Sequence, residues 1–448
     1  MSNGAPPRRS VFGALFLLII GTLFLIHNFR PDLIEWHLLG RWWPMLLILW
    51  GVIRLVENLS GTGRRRVGAG EIMLLILLVF IGIGVSYAPR IPDFVHIDDP
   101  DDVPGVETSD VSQELEPRKI EPGSTVRIST PKGDITVDAT GNEGQMRVLV
   151  RKTGYAMSED SAHSRASDAK VNVKQSGKDV SLDVDTRGGR DDSTRVSFEV
   201  HLPRNVTLDL RTTRGDVKVN GITGDVATNT LRGDVDVREV GGDVRVDVGR
   251  GDARVESVKG NVHISGKGSE VEVTDVNGAA TIDGEFYGPI TARNVAQGAR
   301  FVSSHTDLTI GGLPGRMTVG SGDLHVENAA GPFLLTTGDK SISLEDITGR
   351  VRVSNKRGDI TLRLTAAPKE EIDLTNESGT IELALPAKST FQISAASRSG
   401  DIENDWNNSV LNVTRQGSDS KLEGKVGAKG PQITLQTSYG PIRLKPSD

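Results

Sequence analysis

The 448-residue chain contains no cysteine. That absence excludes disulfides, thiolate zinc centres and a cysteine nucleophile. A domain built this way holds together by backbone pairing and packing alone. Aromatic residues make up only 4% of the chain. Four of the five tryptophans, Trp36, Trp42, Trp43 and Trp50, fall in its first 50 residues. The net charge of −7 is modest and gives no reason to expect a nucleic-acid partner. Long hydrophobic runs are missing after residue 88, where Gly, Val, Asp, Thr and Arg take over.

Before that point there are three apolar runs, 11–26, 42–53 and 72–88. A spanning helix needs about 17–25 mostly apolar residues. The first and third qualify with their flanks. The second is short and either borrows Leu38 and Leu39 or lies partly in the interface. Trp36, Trp42 and Trp43 suit a headgroup boundary. Arg8 and Arg9 precede the first run, and Arg64, Arg65 and Arg66 separate the second from the third. The positive-inside rule puts both groups in the cytoplasm and everything after residue 88 outside. The stretch His27-Asn28-Phe29-Arg30 offers no small-residue cleavage site, so a signal peptide fits less well than an anchor. The run 11–29 with Trp43-Pro44-Met45-Leu46-Leu47-Ile48-Leu49-Trp50-Gly51-Val52 resembles the membrane region of the LiaI/LiaF-like proteins. In that family the region belongs to envelope-stress membrane proteins, and the resemblance implies location more than activity.

From Gly215 a glycine recurs every nine residues, at 224, 233, 242, 251 and 260, with Ser269 in the next place and then Gly278. The spacing then slips and returns at Gly322, Gly331, Lys340, Gly349 and Gly358. Alternate copies differ, so the true period is 18. Val217, Val235, Ala253 and Val271 form one column at that spacing. Val219, Val237, Val255 and Val273 form a second, and Ile222, Val240, Val258 and Val276 a third. The other half-unit gives Val226, Val244, Val262 and Ala280.

Each half-unit reads as a short strand with period-two alternation, and valine suits the pleat. Glycine opens each half-unit where a tight turn needs positive φ. Two strands and two turns make one coil, and coils stack at about 4.8 Å per rung. One coil cannot bury its own valines, so several are required. Outward residues Lys218, Asp236, Arg254 and Glu272 alternate in sign along the stack, so neighbours attract.

The expected architecture is therefore all-β: a β-solenoid, right-handed and β-helix-like, with about 18 residues per coil, preceded by a small α-helical transmembrane bundle. Residues 1–90 form the membrane helices and 91–123 an acidic, Pro-rich linker. Residues 124–446 form the solenoid, with a repeat core at 213–365 and capping regions on either side. Val126-Arg127-Ile128-Ser129 with Lys132-Gly133-Asp134-Ile135-Thr136-Val137, and Leu208-Asp209-Leu210-Arg211-Thr212-Thr213-Arg214-Gly215-Asp216-Val217, resemble the adhesin-assigned β-solenoid domains of bacterial envelope proteins. Ser399-Gly400-Asp401-Ile402 and Ser438-Tyr439-Gly440-Pro441-Ile442 match the later turns of that family. The resemblance implies this fold and an adhesin-like role.

Arg-Gly-Asp occurs at 214–216, 232–234, 250–252 and 357–359. Three copies fall on the 18-residue period, which favours turn chemistry over integrin recognition. The column Asp216, Asp234, Asp252 and Glu270 stacks like charges about 5 Å apart, and something must offset that. The Arg214, Arg232 and Arg250 column two residues away is one candidate. Calcium is the other, although the Gly-Gly-x-Gly-x-Asp pattern of calcium β-rolls is missing. Trp406 is expected in core or cap packing.

No two of the eight histidines have metal-ligand spacing, and there is no Gly-x-Ser-x-Gly elbow. No catalytic or cofactor-binding residue is assigned. The expected function is a non-enzymatic binding, adhesin-like or scaffold module in the cytoplasmic (inner) membrane. It is multi-pass, its C-terminal domain is extracytoplasmic, and its partners are the lipid bilayer and a cell-wall polymer or another membrane protein. Two alternatives stay open: an envelope-stress regulator partnering a signalling system, and a polysaccharide-acting β-helix enzyme with paired carboxylates in a groove.

Overall fold

In the computed structural model the chain divides into Met1–Asp99 and Pro100–Asp448. The structure describes residues 106–141, 144–185, 193–406 and 410–447. The three expected membrane runs, their arginines and the acidic stretch at 98–102 lie outside the described residues. Among the described residues no helix is long and apolar enough to cross a membrane.

The valine columns pile up as their spacing predicts. Val217 pairs in parallel with Val235, Val235 with Ala253, and Ala253 with Val271. Val226, Val244, Val262 and Ala280 do the same on a second sheet. Each rung contributes one strand to each of two sheets, here called I and II, and the two sheets enclose one apolar interior. The predicted column residues are all 2% exposed or less. Period-two alternation sends every second side chain inward, and parallel in-register pairing keeps like beside like, so burial of one valine dictates burial of the next.

The two corners that join the sheets work differently, which corrects part of the sequence reading. At the corner carrying Asp216, glycine does adopt positive φ: Gly233 sits at +137°. Its Cβ would also meet the Gly215 carbonyl oxygen at 2.1 Å. At the opposite corner Gly242 has no positive φ. A Cβ there would lie 2.7 Å from the Gly224 carbonyl and 2.3 Å from Asp225 Oδ1. Glycine is needed at that corner for close stacking and not for its dihedrals. The left-handed residue on that side is three places earlier, where Gly221 is followed up the stack by Glu239, Ser257, Asp275 and Asn294, with φ between 52° and 83°. Each non-glycine residue there costs about 1–3 kcal/mol, which the surrounding rungs offset.

The spacing slips after Gly278 by one inserted residue, since Val271 pairs in parallel with Ile290 and Ala280 with Ala299, and the chain then reverses direction. Thr306–Val319 runs antiparallel to Ile290–Val295 on sheet I and to Ala299–Val302 on sheet II. Asp323–Asp339 then pairs antiparallel with it and starts a second parallel stack at Ser341–Ile347 and Val351–Arg357. The reversed strand still buries Leu308, Ile310, Leu313, Met317 and Val319, so the core continues through the break.

Both ends are interleaved. Val126 pairs with Val180 on one side and with Leu208 on the other, so the strand Ser124–Lys132 lies between strands that follow it in sequence. At the far end Ile433 pairs with both Ile372 and Ile393. The last strands of the chain thus form a penultimate rung, and the terminal rung cannot peel away in sequence order.

Three elements went unanticipated, among them the short strand Arg118–Lys119 inside the expected linker. Within the stretch expected as linker, Glu107–Glu114 is a strand that pairs antiparallel with Gln145–Ala156 and extends sheet I. The helix Glu159–Asp168 packs on that strand through Ala162 and Ala166, close enough that a Cβ on Gly154 would meet the Ala162 carbonyl at 2.0 Å. At the other end Trp406 is buried and meets Phe391 edge-on, with centroids 5.2 Å apart.

Candidate functional site

The acidic column is occupied by backbone amides. Asp134 Oδ1 accepts the Asp216 N–H at 3.0 Å, and Asp216 Oδ1 accepts that of Asp234 at 2.9 Å. Asp234 Oδ1 accepts the Asp252 N–H at 2.8 Å, and Asp252 Oδ1 that of Glu270 at 3.0 Å. The ladder ends where Pro289, which has no N–H, occupies the next rung beside Ile290. Each aspartate therefore caps the turn of the rung above, as a helix N-cap satisfies an orphan amide, while Glu270 at the end of the column caps none. These amide dipoles help offset the like-charge stacking, for which the sequence offered arginine or calcium as candidates. Among the described residues no three His, Asp or Glu side chains converge as a metal site.

A second ladder climbs the opposite corner: Asp225 to Asp243, Asp243 to Asn261, and Asn261 to Ala279, at 2.9, 2.7 and 3.0 Å. The sequence reading missed it, although the Gly-Asp dipeptides at 224–225 and 242–243 carry the same signal nine residues out of phase. All these Oδ1 atoms are engaged within the fold. The Arg-Gly-Asp glycines and aspartates are accordingly parts of a stacked turn.

The open chemistry lies on the outer face of sheet I. A depression of about 540 Å³ is lined by Asp138, Lys218, Asn220, Asp236, Arg238, Glu239 and Glu256. Strand alternation sends these side chains outward, while Val219 and Val237 between them point in. Arg238 grips both oxygens of Asp236 at 2.8 Å, with Glu256 3.9 Å away. The hydrogen bond Arg238 donates to Asp236, reinforced by the carboxylate's charge, raises the guanidinium further above its ordinary value. Of the expected ladder pairs, Arg254 and Glu272 meet at 2.7 Å. Asp236 turns instead along its own strand to Arg238.

This face carries fixed, alternating charge on a rigid backing. It can complement a polar surface. Four of the five described histidines have local partners: His163 meets Ser109, His201 meets Glu199, His263 meets Asp283 and His305 meets Ser304. None of these joins a nucleophile to a base oriented by a third group, the arrangement that nucleophilic catalysis requires.

Comparison with solved structures finds weak similarity to a "putative cell adhesion protein" from Clostridium sporogenes, at 10% identity, covering 76% of this chain and 100% of that one, with a TM-score of 0.17. A "putative adhesin" from Bacteroides fragilis matches at 13% identity over 76% and 97% of the two chains, with a TM-score of 0.22. No curated protein matches the chain. At the family level residues 12–91 match the LiaF transmembrane domain, which marks the protein as membrane-anchored. Residues 191–445, more than half of the sequence, match a second profile, and on that ground the chain belongs to the Toastrack DUF4097 family.

Proposed function

We propose that the protein is a non-enzymatic binding module of the bacterial envelope, adhesin-like or scaffolding in role. A small bundle of helices within residues 1–90 anchors it in the cytoplasmic membrane, and the coil lies on the outer side. The observation that carries this reading is the outer face of sheet I, where Lys218, Asp236, Arg254 and Glu272 stand at one-rung intervals over a packed valine core. A surface of this kind is preorganised, so little side-chain and backbone ordering remains to oppose association. The positive-inside pattern of Arg8, Arg9 and Arg64 to Arg66 supports the orientation. The partner on this reading is a cell-wall polymer or another membrane protein.

A second reading, regulation of an envelope-stress signalling partner, draws on the match to the LiaF transmembrane domain. One experiment separates them. A photo-crosslinking amino acid at position 218 of the full chain in intact cells should yield adducts with wall material or a non-kinase membrane protein. Histidine-kinase peptides would favour regulation. No adduct above that of a control position on sheet II would sink the binding reading for this face.

A further inference from the structure

The reversed strand Thr306–Val319 leaves a gap in the Asp216 corner. There the turn from sheet II to sheet I is replaced by two hairpins, at 303–305 and 320–322. Between them opens a cleft of about 250 Å³. Its floor is apolar, made of Ile290, Phe301 and Val319, each buried. Phe286 forms a wall, its ring lying against bare backbone, so that a Cβ added to Gly268 would sit 3.3 Å from the ring. Tyr287, between the lining residues Phe286 and Gly288 in sequence, is 83% exposed. Aromatic residues are sparse along the coil, yet Phe286 and Phe301 both line this one break.

The rim is polar and mixed in sign. Glu285 accepts the Ser304 N–H at 2.6 Å, which holds the first hairpin and keeps the carboxylate at the rim. Lys340 stands in the column that carries glycine in the neighbouring rungs, and its ammonium donates to the Gly320 and Ser321 carbonyls of the second hairpin. Its burial lowers the ammonium pKa. Asp339, held from outside by Arg357 at 2.6 Å, completes the rim with His305.

An apolar floor with an aromatic wall suits the C–H face of a sugar ring. Carboxylates at the rim accept hydroxyl protons, and an ammonium donates to ring oxygens. The volume falls below the ~300 Å³ at which pockets for drug-sized ligands begin, so it fits one ring and not an extended ligand. Glu285 and Asp339 oppose an anion, and Lys340 opposes a bare cation. We propose that this cleft is a subsite for a single neutral hexopyranose unit of a surface glycan, the rest of the polymer running outward past Tyr287. This assignment rests on the binding-module reading above and names its ligand class.

The test uses the full chain in lipid nanodiscs and calorimetric titration with soluble hexasaccharides of glucose, galactose, mannose and N-acetylglucosamine. At least one should bind, and Phe286→Ala with Tyr287→Ala should weaken it by about tenfold or more. Lys340→Met should weaken it too, while Arg211→Ala on sheet II should leave it unchanged. Tyr287→Ala alone, at an exposed side chain, serves if the double variant does not fold. No binding of any hexasaccharide, or wild-type binding by the cleft variants, overturns the subsite. Co-sedimentation with native envelope material distinguishes the two failures. Wild-type retention by cleft variants removes the subsite and keeps the binding module, whereas no retention of the wild type removes both.

Discussion

Replacing Asp216, Asp234 and Asp252 together separates turn capping from cation binding. Each Oδ1 accepts one backbone N–H at 2.8–3.0 Å from the next rung. A hydrogen bond of this kind contributes about 0.5–1.5 kcal/mol net, so the triple Asp→Ala variant should lose roughly 1.5–4.5 kcal/mol. Unfolding entropy near 2.1 cal/mol/K per residue gives about 0.7 kcal/mol/K for the ~330 described residues. The melting temperature should therefore fall by about 2–6 °C. The triple Asp→Asn variant keeps every acceptor, as Asn261 already does at the other corner, and removes the stacked charge. Its melting temperature should equal or exceed that of the wild type, with or without calcium. The assay is calorimetric melting of the full chain in chelator and in calcium. If the column bound calcium instead, a hundredfold excess over Kd would stabilise the wild type by about 2.7 kcal/mol and the Asn variant would lose that gain. Either that result, or an Asn variant as unstable as the Ala variant, refutes the capping account.

Three further outcomes follow from the same structure. Gly233→Ala puts a Cβ 2.1 Å from the Gly215 oxygen at a φ of +137°, and should cost roughly 2–6 kcal/mol in urea melts from strain and overpacking together. A chain ending at Lys429 lacks the penultimate rung; hydrogen exchange should accelerate across 372–404 and stay slow across 217–276. Glu285 is held below its ordinary value of 4.5 by the Ser304 N–H and hydroxyl. Because the folded carboxyl pKa is depressed, the hairpin contact persists above the ordinary glutamate range and is lost as pH falls through the lowered value. The Ser304 amide resonance should titrate with a midpoint below 4.5.

The coil was legible because its signal is additive: Val219, Val237, Val255 and Val273 repeat one constraint at a fixed interval, and parallel register turns that interval into contact. The acidic ladder was only half legible. Spacing showed that Asp216, Asp234 and Asp252 stack, but side-chain composition draws the eye to the neighbouring arginines, whereas the groups that bind the carboxylates are amides, which every residue carries. The reversed strand was not legible. Gly311-Gly312-Leu313-Pro314-Gly315 reads only as a break, since a strand buries alternate residues whichever way it runs. The interleaved ends were hidden for a related reason: Val126 finds Leu208 across 82 positions, a separation set by the chain between them and by no period. The cleft arises where an irregularity meets the corner; of the residues lining it Lys340 stands out as a break in the glycine column, while Glu285, Phe286 and Phe301 carry no repeat that could have marked them.

The central claim is that 18 residues advance the chain by one strand width. The absence of native cysteine lets spin labels be placed cleanly on the outward ladder of the full chain, at Lys218 with Asp236, Lys218 with Arg254, and Lys218 with Glu272. Dipolar broadening should report separations that grow by about 4.8 Å at each step, near 5, 10 and 14 Å once the label tethers are accounted for. Separations that do not grow in equal steps, or that exceed about 20 Å at the first pair, would contradict the coil.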